Sequence, residues 1–193
     1  PFGFKGGYLG ELWQTVTSIE SSSGNLGLGL SGQSVLWSDA GVFTSHSEAG
    51  GNALMFILQE YARELLKNTT FTNPIDLLEN ILPEVHEYGK KVTGRSDLRL
   101  TFTLNSLVGV DNAVWMLYAR ENGLSDFEGM IPEEYRPVLS YRHRLLASIP
   151  LLAYGIPLEE IVSAVEEGYF FLKIKIGADP DKDGDLDKML DWD

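Results

Sequence analysis

The segment from Leu145 to Ile176 constrains the fold more than any other part of the chain. An apolar run covers residues 145–154, a helical pattern follows over 157–167, and a second β-branched run covers 170–176. Two strands that are apolar on both faces and are joined by a helix are typical of a βαβ unit. This segment therefore predicts two parallel strands, in a parallel sheet or in a barrel.

The second of these strands carries two lysines, Lys173 and Lys175, two residues apart. Side chains alternate between the two faces of a strand, so both ammonium groups point the same way. A neighbouring positive charge and partial burial each lower the pKa of a lysine, and such a lysine can take a proton from carbon at neutral pH. The alternative is an edge strand that shows two lysines to water and thereby resists aggregation.

The first part of the chain predicts a β-hairpin. Residues 12–20 are β-branched and aromatic, residues 21–25 are typical of a turn, and residues 26–30 alternate Leu with Gly. Two such runs on either side of a short Ser/Gly/Asn segment indicate an antiparallel pair of strands.

Three helices are predicted after the hairpin, because apolar residues recur there at helical spacing. Asn73 and Pro74 indicate the start of the second helix, and Gly123 indicates the end of the third. We expect Pro83 to kink or break the second helix, and His86, in its charged part, to face water. The predicted helices cover residues 49–67, 74–90 and 104–121.

Composition limits the partners of the chain. Fifteen basic and 28 acidic residues give a formal charge of −13, which disfavours binding to nucleic acid and to anionic membranes. There is no cysteine, so disulfides and thiolate chemistry are excluded. No apolar run approaches the roughly 20 residues of a membrane span. We therefore expect a cytoplasmic protein that binds neither nucleic acid nor membrane.

The order of the elements predicts two domains, an α+β part at residues 1–140 and the start of an α/β part at 141–193. Two strands and one helix do not cover both faces of a parallel sheet, and an eightfold barrel takes about 250 residues. The chain also starts at Pro1 instead of Met. We expect the sequence to be the front portion of a longer protein.

Three segments resemble the enolase superfamily, specifically its branch of mandelate racemase and muconate lactonizing enzymes. Lys173-Ile174-Lys175-Ile176-Gly177 is similar to the Lys-x-Lys-x-Gly run at the end of that family's second barrel strand. Residues 109–117 resemble the cap helix with the sequence Ala-Leu-Asp-x-Ala-Leu-Trp-Asp-Leu, with Met116 in place of the second Asp. Residues 123–132 follow the family's Gly-Leu-Pro ending only loosely.

The resemblance implies an α+β capping domain, with a small antiparallel sheet plus helices, followed by a modified (β/α)8 TIM-type barrel. It implies an isomerase or lyase that removes the proton α to a carboxylate, giving an enediolate held by Mg²⁺. Lys175 would be the general base, and Lys173 would stabilise the carboxylate oxygens and lower the pKa of its neighbour. A small-molecule carboxylate substrate and a homo-oligomer are implied as well, with metal ligands on later barrel strands.

Enzymes of this family select substrates with two loops of the cap, which correspond here to residues 3–11 and 31–44. Tyr8 lies in the first loop. Candidate substrate contacts in or next to the second are Trp37, Asp39, Phe43 and His46. As alternatives, Trp37 and Phe43 are core aromatics, Asp39 is a turn or cap residue, and residues 3–11 are a frayed terminus.

An acidic segment at residues 179–190 matches the first half of an EF-hand loop, including the glycine of the sharp turn. Leu190 stands where such a loop has a bidentate Glu, and a predicted strand precedes the segment instead of a helix. A solvated acidic loop is the alternative. If the segment binds Ca²⁺, the chain is a non-catalytic binding or interaction protein.

Overall fold

The computed structural model describes residues 2–4, 7–152 and 156–174. The chain divides into two compact units, a larger one at Glu11–Tyr141 and a smaller one that combines Pro1–Gly10 with Arg142–Asp193. The larger unit is of the α+β class, with a two-stranded antiparallel sheet and helices. None of the described helices combines the length and the apolar character that crossing a membrane requires.

The described strands are β1 (Phe2–Phe4), β2 (Gly7–Leu9), β3 (Trp13–Glu20), β4 (Leu26–Gln33), β5 (Leu151–Leu152) and β6 (Lys173–Ile174). The described α-helices are α1 (Val35–Ser38), α2 (Ala40–Leu65), α3 (Pro74–Thr93), α4 (Leu100–Glu121), α5 (Phe127–Met130), α6 (Arg136–Leu139) and α7 (Leu158–Glu166). A 3₁₀ turn covers Glu133–Tyr135.

The predicted hairpin is confirmed as β3 and β4, which pair antiparallel from Trp13 opposite Gln33 to Glu20 opposite Leu26. The turn between them contains Gly24 at a φ of 85°, a conformation that favours glycine. Hydroxyl groups of Ser21 and Ser23 in this turn donate to the carboxylate of Glu121, the last residue of α4. The turn is thereby fixed to the end of the helix on which the hairpin packs.

The strand β4 lies unusually close to α4. A Cβ atom added to Gly29 would stand 2.0 Å from the carbonyl oxygen of Gly109, and one added to Gly27 would stand 2.1 Å from that of Ala113. The alternating glycines thus allow backbone-to-backbone contact between a strand and a helix, which no side chain at these positions would permit.

The core of the larger unit lies among α2, α3 and α4. One cluster of buried apolar side chains there consists of Val35, Val42, Met55, Leu58, Ala62, Val85, Leu98, Phe102 and Leu107. Helices α2 and α4 begin earlier than predicted, at Ala40 and Leu100. Inside α2, Ser47 has a φ of 65°, which makes a kink, and its hydroxyl accepts a hydrogen bond from Gly50 N at 3.2 Å.

Helix α3 begins as predicted, since the Asn73 side chain accepts a hydrogen bond from Asp76 N at 2.9 Å. Of the predicted kink or break at Pro83, the break is wrong, because the helix continues to Thr93. Pro83 removes the donor for the carbonyl of Glu79, but both residues are exposed. Water can therefore bind that carbonyl, and the helix tolerates the proline.

The expectation of two loops in the cap is wrong in large part. Residues 31–44 hold the end of β4, α1 and the start of α2, because Val35, Leu36 and Val42 are buried in the core. Residues 3–11 overlap β1 and β2, which pair antiparallel with Phe2 opposite Leu9.

The βαβ prediction is confirmed in the smaller unit. Strands β5 and β6 are parallel, with Leu151 opposite Lys173 and Leu152 opposite Ile174, and α7 connects them. Gly168, at a φ of 102°, follows the end of the helix. The structure describes two parallel strands in this unit, and the barrel itself stays an expectation.

Candidate active site

Lys173 lies on β6 with an exposed side chain. Its backbone N–H donates to the carbonyl of Pro150 at 3.0 Å, which fixes the register of the parallel pair. The carboxyl ends of β5 and β6 therefore lie at one edge, where barrel enzymes place their chemistry. Lys175, the predicted base, lies outside the described residues, so its pairing with Lys173 remains a prediction.

The other candidates are distributed over both units. Tyr8 belongs to the smaller unit, where it lies on β2 opposite Gly3 and is 59% exposed. The larger unit brings four candidates together around α1 and the first turns of α2: Trp37, Asp39, Phe43 and His46.

Asp39 is a buried cap that joins the starts of two helices. One carboxylate oxygen accepts hydrogen bonds from Gly41 N at 2.9 Å and Val42 N at 3.1 Å. The other accepts one from Arg99 N, directly before α4, at 3.0 Å. Asp39 is 2% exposed, so its oxygens face the protein and not a substrate. Of the two interpretations of this residue, the structure supports the helix cap.

We expect Asp39→Ala to lower the free energy of unfolding by about 3 kcal/mol, because three backbone N–H groups lose a charged acceptor. Asp126 is the matched control: it caps the short helix α5 through an exposed hydrogen bond from Gly129 N at 2.7 Å. Asp126→Ala should cost about 1 kcal/mol or less. Urea unfolding followed by circular dichroism measures both, and equal losses for the two variants would contradict the structural role of Asp39.

Trp37 and Phe43 differ in their surroundings. Phe43 is half-buried and packs against the core cluster, as its alternative predicts. Trp37, on α1, is 49% exposed and is not a core aromatic of this unit. Of the two, Trp37 keeps a surface that a substrate can contact.

His46 lies next to the kink in α2. The hydroxyl of Ser45 donates to the carbonyl of Gly41 at 2.7 Å, so it accepts the hydrogen bond from His46 Nδ1 at 2.8 Å. In the neutral imidazole this arrangement leaves Nε2 as the acceptor. His46 can accordingly accept a hydrogen bond through Nε2.

A buried polar cluster on the inner face of the hairpin was not predicted. Gln59 Oε1 accepts from Thr15 Oγ1 at 2.9 Å and from Gln33 Nε2 at 3.3 Å, while Gln59 Nε2 donates to Thr17 Oγ1 at 2.8 Å. Thr15 also shares a hydrogen bond of 2.8 Å with Ser31. The cluster contains no ionisable group, so it fixes the hairpin to α2 and offers no acid or base.

Two titratable groups in the helices have pKa values that burial shifts. The expectation that His86 faces water is wrong: it is half-buried and hydrogen-bonds Thr103 Oγ1 through Nδ1 at 2.8 Å. Burial, and then the positive charge of Lys90, lower the pKa of His86. Burial raises the pKa of Asp111 on α4, and a hydrogen bond with Trp115 opposes that shift.

A cavity of about 220 Å³ lies in the smaller unit, lined by residues 147–148 and 168–171. These residues precede β5 and β6, so the cavity lies at the amino ends of the two strands, away from the edge used by barrel chemistry. In the described ranges no three His, Asp or Glu side chains are grouped as metal ligands would be. The acidic segment at 179–190 lies outside those ranges.

Comparison with known proteins yields no family model, no curated protein and no solved structure that matches the chain.

Proposed function

We propose that the chain is part of a Mg²⁺-dependent enzyme that removes the proton α to the carboxylate of a small molecule. The reaction is a racemisation, epimerisation, cycloisomerisation or dehydration through an enediolate, as in the mandelate racemase and muconate lactonizing branch of the enolase superfamily. The observation that carries the proposal is Lys173 on the second strand of a parallel β5–α7–β6 unit, within the sequence Lys-x-Lys-x-Gly.

The chemistry assigns a different task to each lysine. A proton next to a carboxylate is weakly acidic, so its removal needs a base that is neutral near pH 7. Lys175 supplies that base, and the ammonium group of Lys173 lowers the pKa of Lys175 and attracts the carboxylate oxygens. Mg²⁺, when bound, stabilises the negative charge that develops on those oxygens.

The rest of the chain supports this assignment in outline. The α+β unit has the small antiparallel sheet and the helices expected of a capping domain. Val162 and Val165 of α7 are exposed, although a helix of a barrel packs its apolar side against the strands and its neighbours. Further barrel elements, with the metal ligands, would cover them. The described residues offer no ligand cluster, so no metal-dependent step is assigned to them.

Two broader features belong to the same proposal. We assign the enzyme to the cytoplasm, because a cysteine-free acidic chain suits a reducing compartment. We also assign it a homo-oligomeric state.

Proton exchange in deuterated water tests the proposal. The full-length protein is incubated with an aromatic 2-hydroxy acid, a sugar acid and a dipeptide, and loss of the α-proton signal is followed by NMR. We expect exchange with one of these classes, which EDTA abolishes and added Mg²⁺ restores. Absence of exchange together with heat on calorimetric titration with Ca²⁺ would favour the alternative, a non-catalytic protein with a calcium loop at 179–190.

A further inference from the structure

The hydroxyl group of Thr103, on α4, is bonded differently from those of Thr93 and Ser106. Thr93 Oγ1 donates to the carbonyl of Gly89 and Ser106 Oγ to that of Phe102, each at 2.8 Å and each four residues back along its own helix. Thr103 is fully buried, and within the described residues its hydroxyl bonds to no carbonyl. Its partner is Nδ1 of His86, on α3, at 2.8 Å.

The direction of this hydrogen bond follows from its donors and acceptors. A hydroxyl group has one hydrogen to donate, and a buried donor without an acceptor is costly. The arrangement that satisfies Thr103 is donation to the lone pair of Nδ1. The hydrogen of the neutral imidazole of His86 then lies on Nε2.

The charges around His86 do not favour a positively charged ring. Those that act on it belong to Lys90 and Glu87, which both lie on α3 and pair with each other at 2.6 Å. Residues 100–110 of α4 contain no ionisable side chain, and the first acid of that helix is Asp111, eight residues beyond Thr103.

The other segments that pack on α3 do not offset a positive charge either. Helix α2 contributes Tyr61, which donates to Glu84 of α3 at 2.7 Å and stacks on Tyr88. In the loop between α3 and α4, Asp97 is paired with Arg95 at 2.8 Å, and Arg99 is a further cation.

We propose that the bond between Thr103 and His86 is a pH-sensitive contact that joins α3 to α4. Protonation places a hydrogen on Nδ1, so both partners then present a donor to each other. The Thr103 hydroxyl must turn its hydrogen away into a buried environment, and the contact between the helices weakens. The contact lies inside the larger unit and is independent of the catalytic proposal.

The sign of the pH dependence follows from burial. Burial, and then the charge of Lys90, lower the pKa of His86 from its ordinary value of 6.5, so the unfolded chain takes up a proton first as the pH falls. The stability that neutral His86 contributes is therefore complete above pH 6.5, decreases as the pH falls past that value and is lost below the folded pKa.

The tautomer of His86 tests the proposal on the unmodified chain. Long-range ¹H–¹⁵N NMR spectra at about pH 8 distinguish a hydrogen on Nε2 from one on Nδ1. We expect the Nε2–H form. Detection of the Nδ1–H form would show that Thr103 is the acceptor and would overturn the proposal.

Thr103→Val tests the direction of the bond a second time, through the NMR titration midpoint of His86. Loss of a donor to Nδ1 removes an interaction that favours the neutral ring, so the midpoint should move to higher pH. If Nδ1–H instead donated to Thr103, the lost bond would favour the charged ring, and the midpoint would move to lower pH. Thr93→Val, which removes a buried hydroxyl that bonds to a carbonyl, is the matched control and should leave the midpoint unchanged. A downward or absent shift in Thr103→Val would overturn the proposal, and if this variant does not fold, the tautomer decides.

Urea unfolding at about pH 8 and about pH 5.5, followed by circular dichroism, measures the weakening itself. His86→Asn is the comparison, because its amide oxygen can accept from Thr103 and its side chain does not ionise. We expect the urea midpoint to fall further between the two pH values in the wild type than in His86→Asn. Equal falls would assign the pH dependence to other groups and overturn the proposal.

Discussion

Gly29→Ala is expected to lower the free energy of unfolding of the larger unit by about 3 kcal/mol, the upper end for overpacked sites. The new Cβ would stand 2.0 Å from the carbonyl oxygen of Gly109 and 2.4 Å from the amide nitrogen of Ala113. Both are backbone atoms of α4, so no side-chain rotation relieves the clash, and the strand and the helix must separate. Urea unfolding followed by circular dichroism measures the loss.

Gly32→Ala, on the same strand, is the matched control. A Cβ at Gly32 meets no heavy atom within 4 Å, and its φ lies outside the range that favours glycine. Alanine there should be neutral or slightly stabilising, since glycine weakens a strand. If Gly29→Ala were as stable as Gly32→Ala, β4 would not lie against α4 at the distance described.

The elements that local sequence determines were predicted well. The hairpin follows from two β-branched or apolar runs separated by a Ser/Gly/Asn turn, and α3 follows from Asn73 and Pro74 at its start. Each of these signals acts within a few residues of the chain. The pattern strand–helix–strand likewise predicted the parallel pair of β5 and β6.

The second cap loop was predicted wrongly because distant residues satisfy its polar groups. Ser34, Ser38 and Asp39 are typical of a loop, yet Asn105 accepts hydrogen bonds from Ser34 N and from the hydroxyl of Ser38. Asp39 accepts one from Arg99 N. These partners lie 60 to 71 residues away in sequence, and a local pattern does not contain them.

The orientation of the hairpin shows a second limit. Side chains alternate along β3, so Thr15 and Thr17 lie on one face and Val16 lies on the other. Hydrophobicity alone predicts that the face with Val16 is the buried one. The structure buries the threonines, because Gln59 bonds to both of them and because Gly27 and Gly29 on the same face contact α4. The choice of face was decided by tertiary contacts.

The candidate site is predictable only in its local part. Two lysines two residues apart on one strand follow from sequence, and Lys173 does lie on a parallel strand. The candidate substrate contacts in the cap were chosen because residues 31–44 were expected to form a loop. That expectation is wrong, because Val35 and Val42 of this segment are buried in the core. His46 Nε2 was not predicted as an acceptor, because that assignment needs the hydrogen bond from Ser45 to Gly41.

Lys175→Ala is expected to reduce the rate of α-proton exchange in deuterated water by about 10³-fold, because it removes the proposed general base. Lys67→Ala is the control, since Lys67 is an exposed lysine on the larger unit that pairs with Glu64. That variant should exchange at the wild-type rate. A rate for Lys175→Ala close to that of the wild type would contradict its assignment as the base.

The variant Lys173→Met distinguishes the two proposed roles, that of Lys175 as the base and that of Lys173 as the positive charge that lowers the pKa of the base. If Lys175 is the base, as we propose, its neutral amine is the active form and the exchange rate rises with pH through its pKa. Removing the positive charge of Lys173 raises that pKa, and the rising limb of the pH–rate profile should move to higher pH. At neutral pH the variant is slower because less of Lys175 is neutral, and raising the pH restores part of the rate.

Small primary amines, added to Lys175→Ala, should restore exchange there but should leave Lys173→Met unchanged. If both variants instead lost the same fraction of activity at every pH, the two lysines would act only as positive charges that bind the carboxylate.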